Sequence, residues 1–314
     1  MQEINLKNYH HYPVMLKEVL ELLNIKPDGI YVDCTLGGAG HSSEILKRIP
    51  QGHLYAFEQD EMVIKSSKAK LEAIGNNFTI INNNFANLKE ELASHGVEKV
   101  DGIFYDLGVS SFQLDIPERG FSYQADAPLD MRMDQRNELS AYEVVNNYSE
   151  ADLKRILFEY GEERYAPLIV KKIINNRPIN TTFELVDVIK QALPASVLRK
   201  EKHPAKKSFQ AIRIEVNQEL AVFRQSLTDA FTLLNKDGRI VVLTFHSLED
   251  RLCKQLFKVQ TSLDLPPDLP FIPEGYDIKF ALVNQKVITA GHEELSINNR
   301  SHSAKLRAIQ KIKD

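Results

Sequence analysis

Two short stretches of this chain carry residue types that could do chemistry, and a third acid joins them from between. The first is Asp33-Cys34-Thr35-Leu36-Gly37-Gly38-Ala39-Gly40-His41-Ser42, which follows the apolar run Ile30-Tyr31-Val32. A helical pattern with Ile45, Leu46 and Ile49 comes next, so the layout is strand, glycine turn, helix. Glycines let a backbone approach a ligand closely. Eighteen positions after Gly40, Glu58 closes a second strand-like run, Leu54-Tyr55-Ala56-Phe57. An acid about 20 residues beyond such a turn can bind ribose hydroxyls. The second stretch is Asp106-Leu107-Gly108-Val109-Ser110-Ser111-Phe112-Gln113, where an Asp at a strand end opens a glycine loop.

The glycine spacing is not the G-x-G-x-x-G that cradles a dinucleotide pyrophosphate, and no G-x-x-x-x-G-K-[ST] phosphate loop occurs. That argues against a dinucleotide oxidoreductase. A cofactor with a ribose and no phosphate fits better, and S-adenosyl-L-methionine is such a molecule. Asp33 and Gly37 belong to this candidate cofactor turn. The alternative is a turn that only packs tightly. Asp106 suits the reactive end of the site, where oxygens accept hydrogen bonds from a target amine. Amino-group methyltransferases often carry Asp/Asn/Ser-Pro-Pro-Tyr/Phe there. This chain has the Asp without Pro-Pro-Tyr, so an Asp that caps a loop is the competing reading. Asp106 is the first candidate for catalysis, with Ser110 and Asp130 in reserve.

Further along, Glu118-Arg119-Gly120-Phe121-Ser122-Tyr123 runs on to Asp130-Met131-Arg132-Met133-Asp134. Phe121 and Tyr123 could stack on a base, and Arg119 and Arg132 could meet phosphate. An ordered loop stitched by ion pairs is the other possibility. Lys200, Lys202, His203, Lys206, Lys207 and Arg213 make residues 199–213 basic within a chain of net charge −4. Lys206, Lys207 and Arg213 are therefore candidate contacts to a polyanion, against a merely solvated helix face. His246-Ser247 suggests a hydrolase, but adjacent His and Ser give no triad geometry. Ser247-x-x-Asp250 reads as a helix cap. No His/Cys cluster has metal-ligand spacing, so no metal is expected.

The elements that position these residues alternate from residue 11 to about 108. Strand patterns fall at 30–32, 54–57, 78–81 and 103–107, with helical patterns at 62–74 and 88–92. Alternation implies a parallel sheet, with ligands beyond the carboxyl ends of its strands. Asp33, Glu58 and Asp106 all fall at such ends. Residues 109–140 read as a polar active-site or substrate loop, and 141–215 as an inserted helical domain for substrate recognition. Ser149-x-x-Asp152 and Thr181-x-x-Glu184 look like capping boxes within it. Residues 216–314 then return to the α/β domain of 1–108, with a helix over 217–234 and a strand over 239–245. A proline-rich connector (Pro266, Pro267, Pro270, Pro273), a hairpin over 278–290 and a basic tail complete the expectation.

The 314 residues are 43% hydrophobic and 26% charged, which fits a water-soluble globular protein of two domains. Two distant cysteines, Cys34 and Cys253, argue for a reducing compartment without a disulfide framework. Residues 1–17 lack the apolar core of a signal peptide, and no run approaches a membrane span. A cytoplasmic protein with no membrane partner follows.

Together the motifs resemble the bacterial ribosomal RNA small subunit methyltransferase H family, also called the MraW family. The resemblance rests on His11-Tyr12-Pro13-Val14-Met15-Leu16, the 33–42 turn, Tyr105-Asp106-Leu107-Gly108-Val109-Ser110-Ser111, Glu118-Arg119-Gly120-Phe121-Ser122 and Pro128–Asp134. It continues through Tyr160-Gly161-Glu162-Glu163-Arg164, His203-Pro204-Ala205, Phe209–Ile214, Phe245–Arg251 and Ser303–Arg307. These occur in the family's order over nearly the whole chain. The resemblance implies a class I, Rossmann-like methyltransferase sheet with an inserted helical domain. It implies transfer of a methyl group from S-adenosyl-L-methionine to N4 of a cytidine in the decoding region of 16S rRNA, in the small subunit or a late precursor. The family's cofactor contacts fall on Ala39, Gly40, His41, Glu58, Phe85, Asp106 and Gln113. Glu58 stands where many members have Asp, and Phe112 replaces a Pro common beside Gln113. Two competing readings stay open: an RNA-binding ribosome assembly factor with this fold, and an amine methyltransferase acting on DNA. The oligomeric state, a homodimer included, is also open.

Overall fold

The computed structural model describes residues 12–199, 203–262 and 277–314. The chain divides into two compact units, residues 1–108 with 220–314 and residues 109–219. His11, Lys200, Lys202 and the four connector prolines lie outside the described residues.

The first unit is built on one sheet of seven strands: β1 (Ile30–Asp33), β2 (His53–Phe57), β3 (Phe78–Ile81), β4 (Val100–Asp106), β5 (Leu234–Thr244), β6 (Phe280–Leu282) and β7 (Lys305–Lys311). Their spatial order is β3-β2-β1-β4-β5-β7-β6. β1 to β5 are mutually parallel, and β7 runs antiparallel to both β5 and β6. Helix α1 (Leu16–Leu23) precedes β1, and α2 (Gly40–Leu46), α3 (Glu61–Glu72) and α4 (Leu88–Ser94) alternate with the strands that follow.

Both faces of this sheet are buried, and the side-chain period of two divides them. Tyr31, Phe104, Val241 and Leu243 point to a layer with Val19, Ile45 and Leu71 from α1, α2 and α3. Val32, Ile103, Tyr105 and Val242 point the other way, onto Leu88 and Leu92 of α4 and onto Phe223, Leu227, Cys253 and Phe257. Strands buried on both sides read as continuous apolar runs, which is how they stand in the sequence.

The second unit has its own core of Leu153, Ile156, Ile169, Val170, Ile189, Phe209 and Ile212, among others. Its helices are α5 (Ser111–Asp115), α6 (Ala141–Asn147), α7 (Glu150–Glu159), α8 (Ala166–Asn175), α9 (Thr182–Ala192), α10 (Ala195–Leu198) and α11 (Lys206–Asn217). Side-chain oxygens start several of them by accepting the orphan amides of the first turn. Ser149 accepts from Asp152 N, and Thr181 from Glu184 N. Glu184 itself reaches the amide of Asn180, so its box closes one residue early. α12 (Glu219–Leu233), α13 (Ser247–Thr261) and α14 (His292–Ile297) follow.

Four expectations change. Residues 109–140 are not a separate loop: they belong to the second unit, whose core takes in Phe121, Leu129, Met131 and Met133. The hairpin over 278–290 does not form, because β6 and Ile288 both pair with β7 instead. Of the expected basic tail (Arg300, Lys305, Arg307, Lys311 and Lys313), the middle three are part of β7. Lys305 and Arg307 are held by Asp250 of α13, and the buried Lys311 donates to the carbonyl of Leu234. The cap of α13 is His246, with Glu249 closing the box, rather than Ser247 with Asp250. Asp250 is unavailable for capping because its two oxygens face Lys305 and Arg307.

Candidate active site

The parallel register brings the carboxyl ends of β1, β2 and β4 to one edge. Asp33 pairs with Ala56 on one side and Phe104 on the other, so Asp33, Glu58 and Asp106 end neighbouring strands together. Each then does something different.

Asp33 is buried and accepts from Thr35 N and Ser42 Oγ (2.9 and 2.6 Å). Burial pushes its carboxyl up, against these hydrogen bonds. The residue braces the two ends of the glycine turn, and its oxygens are spoken for. Thr35 in turn accepts the amide of Asp106 on its hydroxyl (2.7 Å), tying β1 to β4 at the site.

Glu58 accepts from the amides of Gly37, Gln59 and Asp60 at 2.9–3.0 Å. Burial pushes its carboxyl up to about 7, with Asp60 adding like charge against those amides. A carboxylate offers about four lone-pair positions, so three backbone donors leave it able to accept a hydroxyl. The glycine turn is also held from its carbonyl side, where Ser67 Oγ bonds Gly37 O and Lys70 Nζ bonds Gly38 O. Gly40 is required by packing: a Cβ there would come within 2.5 Å of Pro13 Cγ. Ala39 takes a left-handed conformation (φ 58°) just before α2, a strained state for a residue with a side chain.

Asp106 has 28% of its side chain exposed and faces the imidazole of His41, Nδ1 to Oδ2 at 3.5 Å. Burial pushes its carboxyl up to about 8, with Asp33 and Glu249 adding like charge. No lysine or arginine of the described residues pairs with Asp33, Glu58 or Asp106. His41 is buried, its Nε2 3.0 Å from Val14 O and its ring 4.7 Å from that of Phe104. Phe85 follows β3 in a short 3-10 turn, half-buried, with its ring edge-on to Tyr105.

Gln113 and Ser110 lie in the second unit and lock each other in a capping box at the start of α5. Asp130 sits in a bidentate pair with Arg132, at 2.9 and 2.8 Å. The Arg132 hydrogen bonds and charge hold the Asp130 carboxyl below its ordinary value despite burial. The remaining Arg132 nitrogen donates to the carbonyls of Gln135 and Asn137.

The expected RNA contacts divide the same way. Arg119 is buried and donates to the carbonyls of Arg132 and Met133. Phe121 lies in the core of the second unit, so its faces meet protein rather than a base. Tyr123 stacks on His203 at 4.3 Å. Arg213 is paired bidentately with Glu219. Lys206 and Lys207 stand exposed, with Lys207 Nζ donating to Glu162 O. Residues that read as ligands for phosphate and base are thus, for Arg119, Phe121 and Arg132, the fastenings of a polar loop. Sequence reasoning missed Thr35, Ser42, Ser67 and Lys70. The first two lie inside the turn motif, but nothing in the sequence marks the pair on α3.

A cofactor with a ribose and a positive centre fits the first unit. Glu58 retains an acceptor position, Phe85 offers a ring, and uncompensated carboxylates favour a cation. A parallel sheet with a reversed β7 and acids at its strand ends defines a class I, Rossmann-like methyltransferase. The chain belongs to the MraW methylase family, which residues 8–312 match. It is 56% identical over 310 residues to the ribosomal RNA small subunit methyltransferase H of Exiguobacterium sibiricum, covering 98% of this chain and 99% of that protein. It is 54% identical over 313 residues to the protein of the same name from Streptococcus mutans, with coverage of 98% and 99%. Among solved structures, the rRNA methylase of Streptococcus thermophilus aligns over 95% of this chain and 94% of its own, with a TM-score of 0.42 at 11% identity. Among the described residues no helix is long and apolar enough to cross a membrane.

Proposed function

We propose that this protein transfers a methyl group from S-adenosyl-L-methionine to the N4 amine of a cytidine in the decoding region of 16S rRNA, in the small ribosomal subunit or a late precursor. Two relatives more than 50% identical over almost their full length are named as small subunit rRNA methyltransferases, which supports the substrate class. The observation that carries the reading is Asp106: a carboxylate at a strand end, partly exposed, with His41 beside it and no lysine or arginine of the described residues paired with it. Such a group is suited to receive an amine and to tolerate positive charge next to it. Work on ribosomal RNA fits a protein of the bacterial cytoplasm.

When bound, S-adenosylmethionine supplies a methyl carbon already activated by its sulfonium. Glu58 would accept from ribose hydroxyls, Phe85 would cover the base, and the backbone of Ala39, Gly40 and His41 would line the methionine end. The amine of cytosine is a poor nucleophile because its lone pair is delocalised into the ring. Asp106 would accept a hydrogen bond from N4, localise that lone pair, and offset the positive charge that builds as the bond forms. Holding the reactants in line can remove up to about 7–11 kcal/mol of barrier, so much of the work is positional. The target base has to leave its stack to reach the acids. Exposed Lys206 and Lys207 on the inserted unit would hold the RNA backbone.

The test is to incubate the protein with labelled S-adenosylmethionine and unmodified small subunits, naked 16S rRNA or duplex DNA, then identify the modified nucleoside by mass spectrometry. N4-methylcytidine in ribosomal RNA is expected. Label in DNA alone overturns the substrate, and no label with cofactor binding intact favours an assembly factor.

A further inference from the structure

The reaction proposed above must dispose of a proton. As N4 bonds to the methyl carbon, the carbon–sulfur bond breaks towards sulfur and N4 becomes cationic, so one N4 proton leaves. Asp106 is the group placed to take it, and what stands behind Asp106 decides where the proton rests.

We propose that His41 is the proton-holding partner of Asp106: the proton given up by the methylated amine passes to Asp106 and across to Nδ1 of His41. The inference rests on the methyltransferase reading and adds to it a role for the His41 side chain.

The geometry fixes the tautomer. Val14 O can only accept, so the His41 nitrogen 3.0 Å from it, Nε2, carries a hydrogen. In the neutral ring Nδ1 then has a lone pair, and that lone pair faces Asp106 Oδ2 at 3.5 Å, an ion-pair contact a little longer than an ordinary hydrogen bond. An ionised Asp106 opposite a neutral His41 would set lone pair against lone pair. One proton between them removes the conflict, and it has two homes, as a carboxylic acid beside imidazole or as a carboxylate beside imidazolium. In the second state Val14 O still accepts from Nε2, so the imidazolium is stabilised at both nitrogens.

Exposure gives the pair a direction. His41 has 6% of its side chain exposed and Asp106 has 28%, so of the two the carboxylate is the member open to a substrate. The Phe104 ring packs on His41, and β1 and α13 bring the acids Asp33 and Glu249 within electrostatic reach of Asp106. Burial of the Asp106 carboxyl, with like charge from Asp33 and Glu249, favours a proton on it. Asp106 thus retains a proton near neutral pH, and in the proposal that proton is shared with His41.

The experiment compares wild type with His41→Gln, which keeps a donor for Val14 O and loses the basic nitrogen. In the wild type the rate constant at saturating substrates is expected to rise with pH as the pair is emptied. In His41→Gln it is expected to fall about 100-fold at pH 7 with the pH dependence displaced. Cofactor affinity, measured by calorimetry, is expected to stay within about threefold, because the Val14 bond survives. Nitrogen-15 NMR of His41 should show the Nε2–H tautomer and a titration that moves in Asp106→Asn. An unchanged rate and pH profile in His41→Gln overturns the proposal. So does an Nδ1–H tautomer, or a loss of cofactor affinity with the pH profile unmoved, which would mark a structural role. Failure of the methyltransferase reading is seen differently: the wild type itself would make no N4-methylcytidine.

Discussion

The acids of the two units look alike in the sequence and behave in opposite ways in the structure. At the strand ends of the first unit, Glu58 and Asp106 have no lysine or arginine of the described residues beside them, and burial pushes them up to about 7 and about 8. In the inserted unit, Asp130 and Asp134 each grip the arginine two residues on, and those arginines hold them below the ordinary carboxylate range. A carboxylate that finds its cation inside the chain is building the chain. One left without a lysine or arginine at a strand end is poised for a ligand that brings positive charge. The difference separates function from scaffold among residues that composition cannot tell apart.

Breaking the functional side should have the largest effect. Asp106→Ala is expected to lower turnover by about 10²–10³-fold or more, read as N4-methylcytidine formed per enzyme. Activity near wild type would remove Asp106 from the chemistry. The same acids should cost stability in the ligand-free protein. The unfolded chain ionises Glu58 and Asp106 near their ordinary values of 4.5 and 3.8, whereas the folded chain keeps their protons up to about 7 and 8. Their stabilising contribution is therefore complete at acid pH and lost as pH rises through the folded values. Glu58→Gln and Asp106→Asn should raise the melting temperature at pH 8.5, with the gain shrinking towards pH 4. Asp130 and Asp134 have lowered values, so their contribution is present above about 3.8 and lost as pH falls below it. A melting temperature lowered by Asp106→Asn at pH 8.5 would contradict the contrast.

The scaffold side is sharpened by Arg119→Ala. It leaves two carbonyls of the loop without their buried donor and should destabilise the inserted unit by about 2–3 kcal/mol in urea unfolding. Cofactor affinity, which Glu58 and the glycine turn of the other unit would chiefly carry, should hold. Loss of RNA binding at full stability would instead return Arg119 to the substrate. The smallest effect is expected from Lys206→Ala with Lys207→Ala. RNA affinity should weaken, and the slope of log affinity against log salt should shrink by about 1 for each phosphate no longer neutralised. An unchanged slope would place the RNA path elsewhere on the insert.

The sheet was legible because its strands are buried on both faces and therefore uninterrupted in sequence, and because strand ends place ligand-binding acids at predictable positions. The 78–81 strand and the caps at Ser149 and Thr181 appear where local pattern puts them. Partnership across the chain was not legible. Whether Arg132 meets phosphate or Asp130 is decided by a loop geometry with no periodic signature, and Phe121 reads as a stacking ring only until a core is known to cover it. The end of the chain misled for a related reason. A β-strand carrying Lys305, Arg307 and Lys311 has the composition of a basic tail until Asp250 and the Leu234 carbonyl are found beside it.

The placement of the second unit inside the first has a consequence for how the protein is made. β4 is a central strand of the finished sheet, yet its neighbour β5 lies beyond the whole of residues 109–219, so Asp106 must wait for Leu243. On a chain growing from its N-terminus, β4 is for a time a sheet edge, with a row of unpaired amides and carbonyls open to other chains. Meanwhile the insert, with its own apolar core, can fold as a unit. The slow, long-range pairing of β4 with β5 waits for the chain beyond the insert, and β7 and β6 are added to that edge later still. The strand end that presents Asp106 is therefore completed only after the whole insert has been made.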